Sequence, residues 1–74
     1  KAINISTLQA LSEAKGLERI TVENLIEAGF ISKSQLVKVL ANGELKSKLE
    51  VEAHAFSKAA QSAIEAVGGK AIKL

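Results

Sequence analysis

The chain has 74 residues, a formal net charge of +2 from ten basic and eight acidic side chains, and an apolar fraction of 47%. That length holds one domain, residues 1–74, and a domain of this size buries only roughly 60% of the surface of its unfolded chain. The absence of cysteine excludes disulfides, thiolate metal sites and a cysteine nucleophile, and no apolar run approaches the ~20 residues of a membrane-spanning helix.

The mild positive charge permits an acidic partner such as nucleic acid without requiring one. Methionine is absent even at position 1, so a fragment or a processed chain is expected.

In chain order, Ala2-Ile3-Asn4-Ile5 predicts a short strand with Ile3 and Ile5 on one face. Ser6 and Gln9 have capping-box spacing for a helix that carries Leu8 and Leu11 and stops at Gly16. Thr21 is the expected N-cap of a second short helix, with Ile20 and Leu25 spaced as a hydrophobic staple and Gly29 as its stop. Phe30 and Ile31 then anchor the chain, and Ser32 to Gln35 is a solvated loop.

The period changes at Leu36. Val37 and Val39 alternate with Lys38 and Leu40, which favours a strand. Asn42-Gly43 predicts a turn of hairpin type, lengthened by the polar stretch from Glu44 to Lys48. Leu49, Val51, Ala53 and Ala55 then face one way, and Glu50, Glu52 and His54 the other, as in one half-buried strand.

The clearest element comes last. Ser57 is a favourable N-cap, and Phe56, Ala60, Ala63, Ile64 and Val67 make one apolar stripe. Gly68 or Gly69 closes the helix. Its alanine-rich face suits close packing, so this helix is expected to act as the lid of the core, with a final edge strand at Ala71 to Leu74. No internal repeat is visible. The fold class expected is α/β, a small domain with a short sheet covered by helices.

Catalytic chemistry finds no support. His54 is the only histidine. Glu50 and Glu52 could orient it, but a solvated pair is the simpler reading, and a metal site needs three or four convergent ligands. Gly68-Gly69-Lys70 lacks the first glycine and the Ser or Thr of a phosphate loop, and it ends a helix instead of opening one. Ser12-Glu13-Ala14-Lys15 has Ser-x-x-Lys spacing without its companion motifs and is read as helix surface. No enzyme activity, cofactor, metal or small-molecule substrate is expected.

Nucleic-acid binding is better supported. Lys33, Lys38, Lys46 and Lys48 fall in a stretch opposed only by Glu44, and Lys58 lies in the first turn of the last helix. A helix start beside a lysine can hold a phosphate through its free N–H groups. The competing reading is an ordinary solvated lysine rim, because no exposed aromatic platform for stacking bases is evident.

Beyond these physical signals, Ile20-Thr21-Val22, Ala28-Gly29-Phe30-Ile31, the block Lys38-Val39-Leu40-Ala41-Asn42-Gly43-Glu44-Leu45 and the block from His54 to Lys70 together resemble the carboxyl-terminal globular half of bacterial large-subunit ribosomal protein fifteen. The resemblance covers nearly the whole chain. It implies an α/β domain of irregularly wound strand and helix turns, a structural and non-enzymatic role in the cytoplasmic ribosome, and ribosomal RNA and neighbouring ribosomal proteins as partners. Lys38, His54, Ser57 and Lys58 stand at matching positions as RNA-binding candidates. Lys33, Lys46 and Lys48 rest on charge alone.

The family's basic amino-terminal arm is absent from this chain, and Glu52 and Ala55 stand where relatives often carry basic residues. Two alternatives compete. One is a helix-turn-helix DNA binder with Lys33 to Ala41 as recognition helix, disfavoured by Val37 and Val39 and by the lack of arginine there. The other is a protein-binding adaptor that uses the alanine-rich helix.

Overall fold

A computed structural model describes all residues, Lys1–Leu74. Its elements are β1 (Ala2–Asn4), α1 (Ile5–Lys15), β2 (Arg19–Ile20), α2 (Val22–Glu27), β3 (Lys38–Leu40), β4 (Glu50–Ala53), β5 (Ala55–Phe56), α3 (Lys58–Ala66) and β6 (Lys70–Lys73).

The strands form two three-stranded sheets, the first in the order β1-β3-β5 and the second in the order β2-β4-β6, with every pairing parallel. Odd strands lie in one sheet and even strands in the other, so the chain winds through three turns. The first turn crosses between the sheets by α1, the second by the loop from Ala41 to Leu49, and the third by α3. Parallel strands cannot be joined by a tight hairpin, so each crossing from the first sheet to the second takes a helix or a long loop, whereas the return from β4 to β5 needs only His54, because those two strands lie in different sheets and do not pair.

Register stacks like residues on like. Ile3 lies beside Val39 and Val39 beside Phe56, while Ile20 lies beside Val51 and Val51 beside Ala71. These two ladders meet Ile5, Leu8, Leu11, Leu25, Leu49, Ala60 and Ile64 in one core. The core is therefore a stack of turns with the helices around it, an arrangement in which each turn packs mainly on its neighbours.

Most predicted helix ends are realised. Gly16 is left-handed at the end of α1, Thr21 and Asn24 form a reciprocal capping box at α2, and the Ser57 hydroxyl accepts the Ala60 N–H at 3.1 Å to start α3. Gly69 is required by close approach, since a Cβ there would collide with the Leu49 carbonyl oxygen where β6 joins β4.

Several expectations are corrected. The Ser6–Gln9 capping box does not form, because α1 already begins at Ile5, with Asn4 as a cap that makes no side-chain bond. Gln9 instead reaches across to the second crossing. Ser12 is buried rather than on the surface, and its hydroxyl donates to the Leu17 carbonyl at 2.7 Å, locking the exit of α1.

Asn42-Gly43 turns the chain with Gly43 at φ 93°, but no hairpin follows, because β3 and β4 belong to different sheets. The Leu49 to Ala55 strand is broken at His54, where the chain passes from the second sheet to the first. A single short sheet is thus replaced by two. Finally, β3 occupies Lys38–Leu40, so the recognition helix of the DNA-binding alternative does not exist.

Candidate nucleic-acid interface

Strand alternation decides what the first sheet shows to solvent. Val39 points into the core and is fully buried, so its neighbour Lys38 points out. Lys38 lies between Ala2 on β1 and Ala55 on β5. Two small side chains flank it, and the lysine stands clear on a low surface. It makes no ion pair, since the only two salt bridges involve other residues.

β5 is two residues long, so His54 before it and Ser57 after it lie roughly 10 Å apart along one strand. At the far end, Ser57 satisfies one of the orphan N–H groups of α3 by its hydroxyl. The N–H groups of Lys58 and Ala59 precede the first intrahelical bond, which Gln61 makes to the Ser57 carbonyl. The exposed Lys58 side chain belongs to that same first turn. Partial positive charge, two free donors and an ammonium group are thus placed together.

At the near end, the His54 Nδ1 accepts the Val37 N–H at 3.0 Å. Glu52, imagined as its partner, is instead bound by the Arg19 guanidinium, whose Nε lies 3.0 Å from the carboxylate. The expected Glu52–His54 pair is therefore corrected: each has its own partner in the fold.

The remaining lysines lie elsewhere. Lys33 is exposed in the loop leading to β3. Lys46 stands 3.8 Å from Glu44, and both are highly exposed. Lys48 lines a cleft with Glu18, Glu50 and Lys70 at the start of the second sheet, its stem near Gly68. The lysine-rich stretch of the sequence is thus split by the winding: Lys38, His54, Ser57 and Lys58 share the first sheet and its edges, whereas Lys46 and Lys48 flank the second crossing.

Gln9, expected in the sequence only as half of a capping box with Ser6, instead fixes that crossing. Its carbonyl oxygen accepts the N–H groups of Lys46 and Ser47 at 2.8 and 2.9 Å, and its amide nitrogen donates to the Ser47 hydroxyl and to Glu13. The partners lie 37 and 38 residues away, and no local pattern signals such a bond.

Charge divides between the two sheets. Residues 1–12, 28–43 and 54–64, the stretches that contain the strands of the first sheet, hold four lysines and no carboxylate. The intervening segments, which include the second sheet, hold all eight carboxylates and the other six basic residues. The winding therefore brings the strands of three acid-free stretches together in the first sheet. A net charge of only +2 conceals this polarity.

No group of three or more His, Asp or Glu side chains converges as a metal site, and no helix is long and apolar enough to cross a membrane.

Comparison with known proteins places this fold in a lineage. The family model for ribosomal proteins 50S-L15 and 50S-L18e and their 60S counterpart matches residues 2–72. The chain is 66% identical over all its 74 residues to the large ribosomal subunit protein uL15 of Bacteroides fragilis and 64% identical to that of Parabacteroides distasonis, covering 50% of each. It is 45% identical over 73 residues to the uL15 protein of Azobacteroides pseudotrichonymphae, 48% of whose length it covers. The chain thus spans about half the length of the curated relatives it matches. With the match running through all three turns, the chain belongs to the family of ribosomal proteins 50S-L15 and 50S-L18e and their 60S counterpart.

Proposed function

We propose that this domain is the globular part of a structural constituent of the large ribosomal subunit, seated in the cytoplasmic ribosome against ribosomal RNA and neighbouring ribosomal proteins, and that the first sheet is its RNA-facing side. The relatives carry the first half of that reading, since they are proteins of the large ribosomal subunit. The observation that carries the second half is that the strands of the first sheet, and the stretches of chain that contain them, carry no carboxylate. A phosphate backbone attracts lysines and is repelled by carboxylates, so the sheet without carboxylates offers the favourable approach.

Lys38 and Lys58 would each neutralise a phosphate. Ser57 would act indirectly, by shaping the helix start whose free N–H groups face the same phosphate as Lys58. Lys33 would extend the contact along the loop. Lys46 and Lys48 would form a second, weaker contact, because Glu44, Glu18 and Glu50 lie beside them.

Filter binding of deproteinised large-subunit ribosomal RNA across a salt series tests this. Each lysine that touches a phosphate adds about one unit, or somewhat less, to the slope of log affinity against log salt. Lys58→Ala is expected to lower affinity and slope together, and Lys15→Ala, on the exposed end of α1, to change neither. Equal effects would mean diffuse attraction to a basic protein and would refute the assigned face.

A further inference from the structure

His54 is the whole connection between β4 and β5. Its backbone N–H and that of Ala55 both donate to the Val37 carbonyl at 3.1 Å. Its ring Nδ1 accepts the Val37 N–H at 3.0 Å. One residue thus holds Val37, itself buried, at both its backbone polar groups.

A ring nitrogen that accepts a backbone N–H carries no proton, so in the neutral imidazole the proton resides on Nε2. No protein group bonds Nε2, and no buried side-chain nitrogen or oxygen lacks a partner, so this half-buried ring reaches solvent through Nε2–H. Around it, Lys38 follows Val37, Lys73 lies opposite Ala53, and Glu52 is held by Arg19. No carboxylate lies within ion-pair distance of the ring.

We infer that His54 is a two-sided residue: Nδ1 is a positioning group that fixes Val37 and with it the base of Lys38, and Nε2–H is a single neutral donor for an acceptor oxygen of the RNA backbone. The donor half rests on the function proposed above. The positioning half does not.

The experiment compares the unsubstituted 74-residue chain with His54→Asn and His54→Gln. An asparagine amide can place an acceptor near the position of Nδ1 but has nothing at Nε2. A glutamine amide reaches the position of Nε2 and leaves the Val37 N–H unpaired. Nitrogen NMR of the unsubstituted imidazole at neutral pH is expected to show the Nε2–H tautomer. Exchange of the Val37 amide is expected to quicken about tenfold in His54→Gln and to stay within about threefold in His54→Asn, in keeping with the loss or retention of one buried hydrogen bond. Affinity of His54→Asn for deproteinised large-subunit ribosomal RNA is expected to fall about fivefold with Val37 still protected.

An Nδ1–H tautomer, or equal Val37 exchange in all three chains, would overturn the positioning role. Unchanged affinity in His54→Asn would overturn the donor role. If either variant fails to fold, the tautomer of the unsubstituted chain still decides the first point. An unsubstituted chain that does not bind this RNA would overturn the proposed function and the donor role together, while the tautomer and Val37 exchange would still decide the positioning role.

Discussion

The second and third turns make the same journey from the first sheet to the second by different means. The third crosses on α3, which buries Ala60 and Ile64 completely and is held by apolar packing. The second crosses on the loop from Ala41 to Leu49, which buries Leu45 and Leu49 at its middle and end and is tied to α1 by the Gln9 amide. Both routes gain from water leaving hydrocarbon, but the second depends in addition on backbone groups finding a side-chain partner. The first should therefore govern global stability, and the second local order.

The largest expected effect breaks the third turn. A 74-residue domain has a total stability on the order of 4–11 kcal/mol. Ile64→Ala deletes a fully buried side chain and should cost roughly 2–5 kcal/mol, a major part of that total. Urea melts would check it, and a loss below about 1 kcal/mol would mean that α3 is not packed on the core as described.

Overpacking is next. Ala60 is fully buried whereas Ala63 is only half-buried, beside the cleft formed with Leu45 and Lys46. Ala60→Leu is expected to destabilise by roughly 1–3 kcal/mol and Ala63→Leu by less, as read from the same melts. The reverse order would mean that the stripe faces the core in a different rotation.

For the second turn, Gln9→Ala removes the acceptor for two N–H groups and should cost about 1–2 kcal/mol. Hydrogen exchange makes the comparison sharp: the Lys46 and Ser47 amides should lose protection while those of α3 keep it. Loss of protection in both turns at once would show that the crossings are not independent.

The smallest effect concerns the start of α3. Ser57→Ala removes a cap bond and should cost about 1 kcal/mol in thermal or urea unfolding. Ser57→Gly should recover most of it, because glycine tolerates the cap conformation.

This contrast also explains how much was legible in advance. α3 could be read almost whole, because its N-cap, apolar stripe and glycine stop are local signals that tertiary contacts reinforce. Thr21 and the strands at Val39 and Val51 were legible for the same reason. The sheets were not. A strand's period tells which face is buried and says nothing of its neighbours, so Asn42-Gly43 suggested a hairpin where the winding instead separates β3 from β4.

His54 interrupts a regular alternation without any glycine or proline to mark the break, and Gln9 satisfies a loop far away in sequence. The candidate site was half legible in the same way. Lys38, His54, Ser57 and Lys58 come to one sheet and its edges, but the run of lysines through Lys46 and Lys48 looked contiguous only along the chain. The acid-free sheet emerges only when strands from three separated stretches are brought together.

The central claim is that the first sheet, and not the second, faces RNA. Two charge-matched variants test it most directly: Lys38→Glu with Lys58→Glu on the first sheet and its edge, against Lys70→Glu with Lys73→Glu on β6. The change in net charge is identical, so any difference in affinity for large-subunit ribosomal RNA at a fixed salt concentration reports position alone. Loss of two phosphate contacts should weaken the first variant by at least about tenfold relative to the second at roughly physiological salt. Equal losses, or a greater loss in the β6 variant, would contradict the assignment.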